Sequence, residues 1–124
     1  MLRYIAAALS CALAFQAEAG TVHARSGAVA HVADHAVSRF QCVVDRLESQ
    51  GYHVRFMGGW RAHGSVRGSL HPAGLALDIN QLARGVTRPR MPGNEITIAS
   101  SCGVISGAAW RHNDSGHFQV GGWK

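Results

Sequence analysis

Negative charge is scarce in this sequence. Seven Asp and Glu residues stand against twelve Lys and Arg, leaving a formal charge of +5. Such a balance suits an anionic partner, such as cell wall or an outer-membrane surface, and equally serves as a solubilising coat. No cluster of basic and aromatic residues is present, so nothing marks a specific nucleic-acid reader. No apolar run is long enough to cross a bilayer comfortably as a helix. There is no internal repeat and no low-complexity tract. Cysteine is also sparse, three residues in 124.

What the chain does have begins at its first residues. Met1, Leu2 and Arg3 give a short basic start. Ile5 to Phe15 follow as an apolar run broken only by Ser10, and Ala17-Glu18-Ala19 forms an A-x-A site. This pattern predicts a secretory leader over residues 1–19 and one exported domain over residues 20–124, periplasmic or secreted. Cys11 leaves with the leader. Cys42 and Cys102 remain, and in an oxidising compartment a disulfide is expected in preference to two buried thiols. Its loop of about sixty residues would contribute roughly 4 kcal/mol.

Thr21 to Gly27 reads as a loosely held polar leader to the fold. From Ala28 the apolar positions Val32, Ala36, Phe40, Val43, Val44 and Leu47 recur at steps of three and four, predicting a helix that Gln50-Gly51 ends. His31 and His35 would share one face of it as surface residues. Tyr52–Met57 and Leu75–Asn80 read as strands, with a polar loop from Trp60 to Leu70 between them. Ala83–Asn94 reads as an exposed loop. Asn94 is expected to cap a helix from about Glu95 to Cys102. Gly107–Asn113 reads as a loop around Trp110, and His117–Val120 as a last strand. The order predicts a small α+β domain.

Two stretches concentrate the chemistry. In Leu75–Asn80, period-two alternation gives Leu75, Leu77 and Ile79 one face and Ala76, Asp78 and Asn80 the other. Pro72 and Gly74 shape a turn that could return His71 over Asp78. In the last strand, Phe118 and Val120 share the apolar side, and His117 and Gln119 the other. If the two strands pair, two imidazoles and one carboxylate meet, a three-ligand metal site with a position left for water. Asp114, three residues before His117, is the candidate proton acceptor. Taken singly, each residue also has an ordinary structural reading: a capping Asp, a core-edge His, or a strand Asp paired with arginine.

Ser69, His71, Gly74, Ala76 and Asp78 fit the pattern S-x-H-x-x-G-x-A-x-D, and Asp114, His117 and Phe118 fit [D/E]-x-x-H followed by an aromatic residue. The pair resembles the zinc D-alanyl-D-alanine carboxypeptidases and L-alanyl-D-glutamate endopeptidases, which share a superfamily with lysostaphin and the Hedgehog signalling domain. The resemblance spans residues 54–123. It implies a small antiparallel sheet flanked by helices, Zn2+ held by His71, Asp78 and His117, and Asp114 as general base. By the same resemblance, Arg61 binds substrate or stabilises the oxyanion, and Ser69 supports the ligand loop or substrate. The family usually has serine-glycine where this chain has Gly58-Gly59 before Trp60-Arg61. His63 and His112 match no motif position and are expected only to edge the cleft, and Trp110 reads as a core aromatic, with a place in the cleft lining as the alternative. The implied activity is hydrolysis of peptidoglycan stem peptides; the alternative is a zinc-containing binding module without catalysis. The chain lacks the long insertions of many relatives, which implies a shallow cleft suited to a polymer.

Overall fold

The structure, a computed structural model, describes residues 19–64, 66–81 and 88–122. The predicted leader, but for Ala19, and residues 82–87 of the predicted loop lie outside the described residues. Among the described residues the fold is α+β, with two antiparallel sheets and two helices.

The N-terminal region departs from the reading above. β1 (Ala19–His23) and β2 (Val29–Ala33) form a two-stranded antiparallel hairpin, pairing Ala19 with Ala33 through to His23 with Val29. Thr21 is therefore in a strand, and Val22 is fully buried. Ala28–Ala33 is not helical either. In β2, Ala30 and Val32 are buried while Val29 and His31 are exposed, a period of two. Alanine and valine at these positions fit both periods, and pairing with β1 decided between them. His31 and His35 thus do not share a helix: His31 is on β2 and His35 on a 3-10 turn, Asp34–Ala36.

The helix itself, α1, runs from Val37 to Ser49 and buries Phe40, Val43, Val44 and Leu47, the stripe that the spacing predicts. After it, Tyr52–Phe56 is extended but not a strand; β3 is only Met57–Gly58. The physical reason is Asn80. Its Oδ1 accepts from the Arg55 and Phe56 amides (2.8 and 3.1 Å), and its Nδ2 donates to the Tyr52 hydroxyl and the His53 carbonyl (2.9 and 3.0 Å). The Asn80 side chain, in place of a neighbouring strand, takes up much of this backbone, while the Asn80 amide donates to the Phe56 carbonyl and Ser26 Oγ to that of Val54.

β4 (Ala76–Ile79), β5 (Ile105–Gly107) and β6 (Asp114–Gln119) complete a four-stranded sheet in the order β3-β4-β6-β5. β6 starts three residues before the predicted strand. α2 spans Glu95–Ser101, as expected, but Asn94 makes no side-chain cap. Its amide instead exchanges two 3.0 Å hydrogen bonds with Gln50 beyond the end of α1. One core gathers Val22 and Val32, the α1 stripe, Leu77, Ile79 and Phe118 from the sheet, and Ile98 and Ala99 from α2. Cys42 on α1 is bonded to Cys102 just after α2. The bridge fits an oxidising environment. No helix among the described residues is long and apolar enough to cross a membrane.

A candidate metal centre

The residues that build the site come from three places in the chain. Asp78 lies in β4 and His117 in β6, and the antiparallel register pairs them directly. His71 comes from the turn before β4. Pro72 sits in its first positions and Gly74 closes it in the left-handed region at φ 70°. A Cβ at Gly74 would also lie 2.6 Å from the Ala33 nitrogen of β2, so both conformation and space require glycine. The Leu70 carbonyl accepts from Ala73 and Leu75, and Gly74 bonds back to His71, which fixes the turn over the sheet.

His71, Asp78 and His117 are 2, 4 and 8% exposed, and one ligand atom from each falls within 4.8 Å of the others. The hydrogen bonds around them set which atoms face inward. His71 Nδ1 lies 2.7 Å from the Gly59 carbonyl and must donate to it, so Nε2 is the nitrogen turned toward Asp78. That Nε2 is 3.1 Å from Asp78 Oδ2, yet makes no hydrogen bond among the described residues.

His117 is arranged by Gln119. The Gln119 amide donates to the Gly121 and Gly122 carbonyls (2.7 and 3.2 Å), which turns Oε1 toward His117 Nε2 at 3.0 Å. His117 Nε2 therefore bears a proton, and Nδ1, 2.7 Å from Asp78 Oδ1, is the atom offered to the centre. Burial pushes the His117 pKa down, but the bond and charge of Asp78 outweigh it, and the net shift is upward. Burial likewise pushes Asp78 up, and its bond to His117 together with the neighbouring His71 imidazole more than reverses this, holding the carboxyl well below its usual range. Two imidazoles and a carboxylate with these second partners fit a divalent transition metal ion.

The other predicted residues gather around the same point. Asp114 Oδ2 lies 3.8 Å from His117 Nδ1, and its Oδ1 accepts from Gln81 Nε2 at 2.8 Å. The Arg61 guanidinium approaches Asp78 Oδ2 at 3.5 Å, while its buried Nε finds no acceptor among the described residues. Ser69 Oγ accepts from the His71 amide at 3.3 Å, the loop support that the motif implies. All of them line a cleft of about 760 Å³ together with Arg67, Arg111 and His112. His63 is exposed on the Trp60–Leu70 loop and is not among the described lining residues.

For Trp110 the alternative reading holds in place of the core one. It lines the cleft, half-buried, with its ring 5.2 Å from that of His117. Gln119, Gln81 and the Gly59 carbonyl were not singled out from the sequence. For Gln119 the signal was its place two residues after His117 on the same strand face; for Gln81 and Gly59 the sequence holds no comparable mark. No family model, no curated protein and no solved structure matches this chain.

Proposed function

We propose that the protein is an exported zinc peptidase of the D-alanyl-D-alanine carboxypeptidase and L-alanyl-D-glutamate endopeptidase kind, acting on peptidoglycan stem peptides. The observation that carries the reading is the buried convergence of His71 Nε2, Asp78 and His117 Nδ1 beside an acidic side chain at the cleft wall. Those three residues would hold the ion. When bound, zinc supplies a water acidic enough to ionise near neutral pH and a Lewis acid for the substrate carbonyl.

This chain's own side chains provide the rest. Asp114 Oδ2 takes the proton of the attacking water and returns it to the leaving amine, general base and then general acid. Its second oxygen is held by Gln81, which aims the first. Arg61 supplies a guanidinium beside the reacting carbonyl, where it can donate to developing negative charge. With Arg67 and Arg111 it lines the cleft with three cations, suited to a peptide bearing free carboxylates. The half-buried Trp110 gives the cleft one aromatic wall.

The test is mass spectrometry of muropeptides incubated with zinc-loaded protein. Loss of a terminal D-alanine or scission of the stem is expected, and a chelator should stop it. Full zinc loading with intact muropeptides would overturn the hydrolase reading and leave a binding module. Iron recovered in place of zinc would overturn the metal assignment. Asp114→Asn should keep zinc and lose turnover by about 10²–10⁴-fold, the range expected for one acid–base group.

A further inference from the structure

The motif D-x-x-H contains a geometric problem. Successive side chains of a strand point to opposite faces, so residues three apart diverge. Asp114 and His117 both lie in β6, yet their side chains approach to 3.8 Å. The register of the sheet shows how. Ile105 pairs with Gln119 and Ser106 with Phe118, and the regular continuation would pair Gly107 with His117. Gly107 pairs instead with Asp114, so β6 carries three extra residues at this point. On the β4 side the pairing stays regular, Asp78 with His117 and Leu77 with Phe118. β6 thus bulges away from β5 between the proposed base and the metal ligand, while His117 to Gln119 stay paired with β4.

Gly116 is the centre of that bulge. Its φ is 87°, and a Cβ there would lie 2.6 Å from Pro89 Cγ and 2.7 Å from the Ile79 carbonyl oxygen. Its amide has lost a strand partner and points inward. It donates to Glu95 Oε1 at 2.7 Å, which also accepts from Ser106 Oγ at 2.9 Å. Glu95 is only 3% exposed and lies in the first turn of α2. It does not line the cleft, so it touches neither substrate nor metal. A buried carboxylate is costly unless its bonds are needed. Here one oxygen ties the free amide of the β6 bulge to the hydroxyl of the β5 residue where the register slips.

We infer that Glu95 is a positioning residue: it clamps the β6 bulge at Gly116, and the bulge brings Asp114 round to the face of His117. The inference rests on the proposed function for its catalytic meaning, but the clamp itself is independent of it. Replacing Glu95 by alanine leaves the Gly116 amide without an acceptor and frees Asp114 while the β4–β6 pairing still holds His117 against Asp78. Glutamine keeps an acceptor oxygen at the same reach and is the conservative replacement.

The experiment compares Glu95→Ala and Glu95→Gln with the parent chain by amide hydrogen exchange, zinc titration and, with muropeptides, kcat and KM. In Glu95→Ala the Gly116 amide should exchange at least tenfold faster, after correction for global opening read from the Val44 amide of α1. Affinity for zinc alone should change by less than about threefold. The kcat should fall at least tenfold with KM nearly unchanged, and Glu95→Gln should restore most of both losses. Gly116 exchange unaltered in Glu95→Ala overturns the clamp. Faster exchange with kcat retained overturns its role in placing Asp114. A tenfold loss of zinc affinity would show that the clamp serves His117 instead, which also contradicts the proposal. If alanine prevents folding, Glu95→Asp, too short to reach Gly116, takes its place with the same expected outcomes. Should the parent chain hydrolyse nothing, the peptidase reading fails. The separation of Asp114 Oδ2 from His117 Nδ1 in a crystal structure of the variant then decides the positioning role: widening beyond the parent's distance supports it, and no change overturns it.

Discussion

Leu77, Ile79 and Phe118 on one face of the four-stranded sheet are scarcely more buried than Asp78, His117 and Gln119 on the other: all three of the first group are fully buried, and the second group is 4, 8 and 3% exposed. The two sets alternate along the same two strands, yet their energetics are opposed. Each apolar side chain, removed from water, stabilises by about 1.5–3 kcal/mol. Each polar one costs free energy that its hydrogen bonds return only in part. His71 Nε2 makes no hydrogen bond among the described residues and lies 3.1 Å from the Asp78 carboxylate. One face is explained by folding. The other brings together three groups that could hold a metal ion.

The comparison can be broken most decisively by exchanging effects between faces. His117→Ala should lose measurable zinc binding in a calorimetric titration, well beyond the 10–100-fold typical of losing an outer partner. Phe118→Ala, the next residue, should cost about 3–5 kcal/mol in urea unfolding and keep one zinc per folded chain. Equal losses of zinc in both variants would dissolve the distinction between the faces.

A smaller effect sharpens it. Gln119→Leu keeps the volume and burial of the site but removes the acceptor for His117 Nε2–H. Zinc affinity should drop by about 10–100-fold in the same titration, with the unfolding midpoint of the metal-free chain little altered. Unchanged affinity would mean that Gln119 does not select the His117 tautomer.

The smallest effect is one of sign. In the metal-free chain the His117 pKa is raised, so the stability from its proton is complete below its unfolded value of about 6.5 and is lost as pH rises through the folded value. Asp78, whose pKa is lowered, stays ionised over this whole range. Zinc needs the His117 nitrogen free of its proton, so the stabilisation that zinc adds should grow as pH rises through the same range. The fall of the urea midpoint with pH in the metal-free chain should therefore flatten when zinc is present. Parallel slopes would contradict His117 as a metal ligand.

What was readable beforehand follows the same division. β4 and β6 were legible because alternation along a strand is strict: Leu77, Ile79 and Phe118 on one side require Asp78 and His117 on the other. The His71 turn was legible through Pro72 and Gly74. The α1 stripe and the Cys42–Cys102 bridge were equally open to reading. The β1–β2 hairpin was not, because Ala28–Ala33 satisfies either period and only pairing with β1, itself read as a loose leader, decides. Tyr52–Phe56 reads as a strand locally, and one side chain outside it, Asn80, claimed its hydrogen bonds. The spacing of Asp114 and His117 was visible, but its odd offset conflicts with a regular strand. The bulge at Gly116 resolves that conflict, and Gly116 was its only trace in the sequence.

The central claim is that His71 Nε2, the Asp78 carboxylate and His117 Nδ1 share one ion. A crystal structure of the zinc-loaded protein, with anomalous data collected on both sides of the zinc edge, tests it most directly. One edge-dependent peak bonded to those three groups, with Gln119 still on His117 Nε2, is the predicted result. A fully loaded crystal with no peak there, or with zinc bound to Nε2 of His117, would contradict the account.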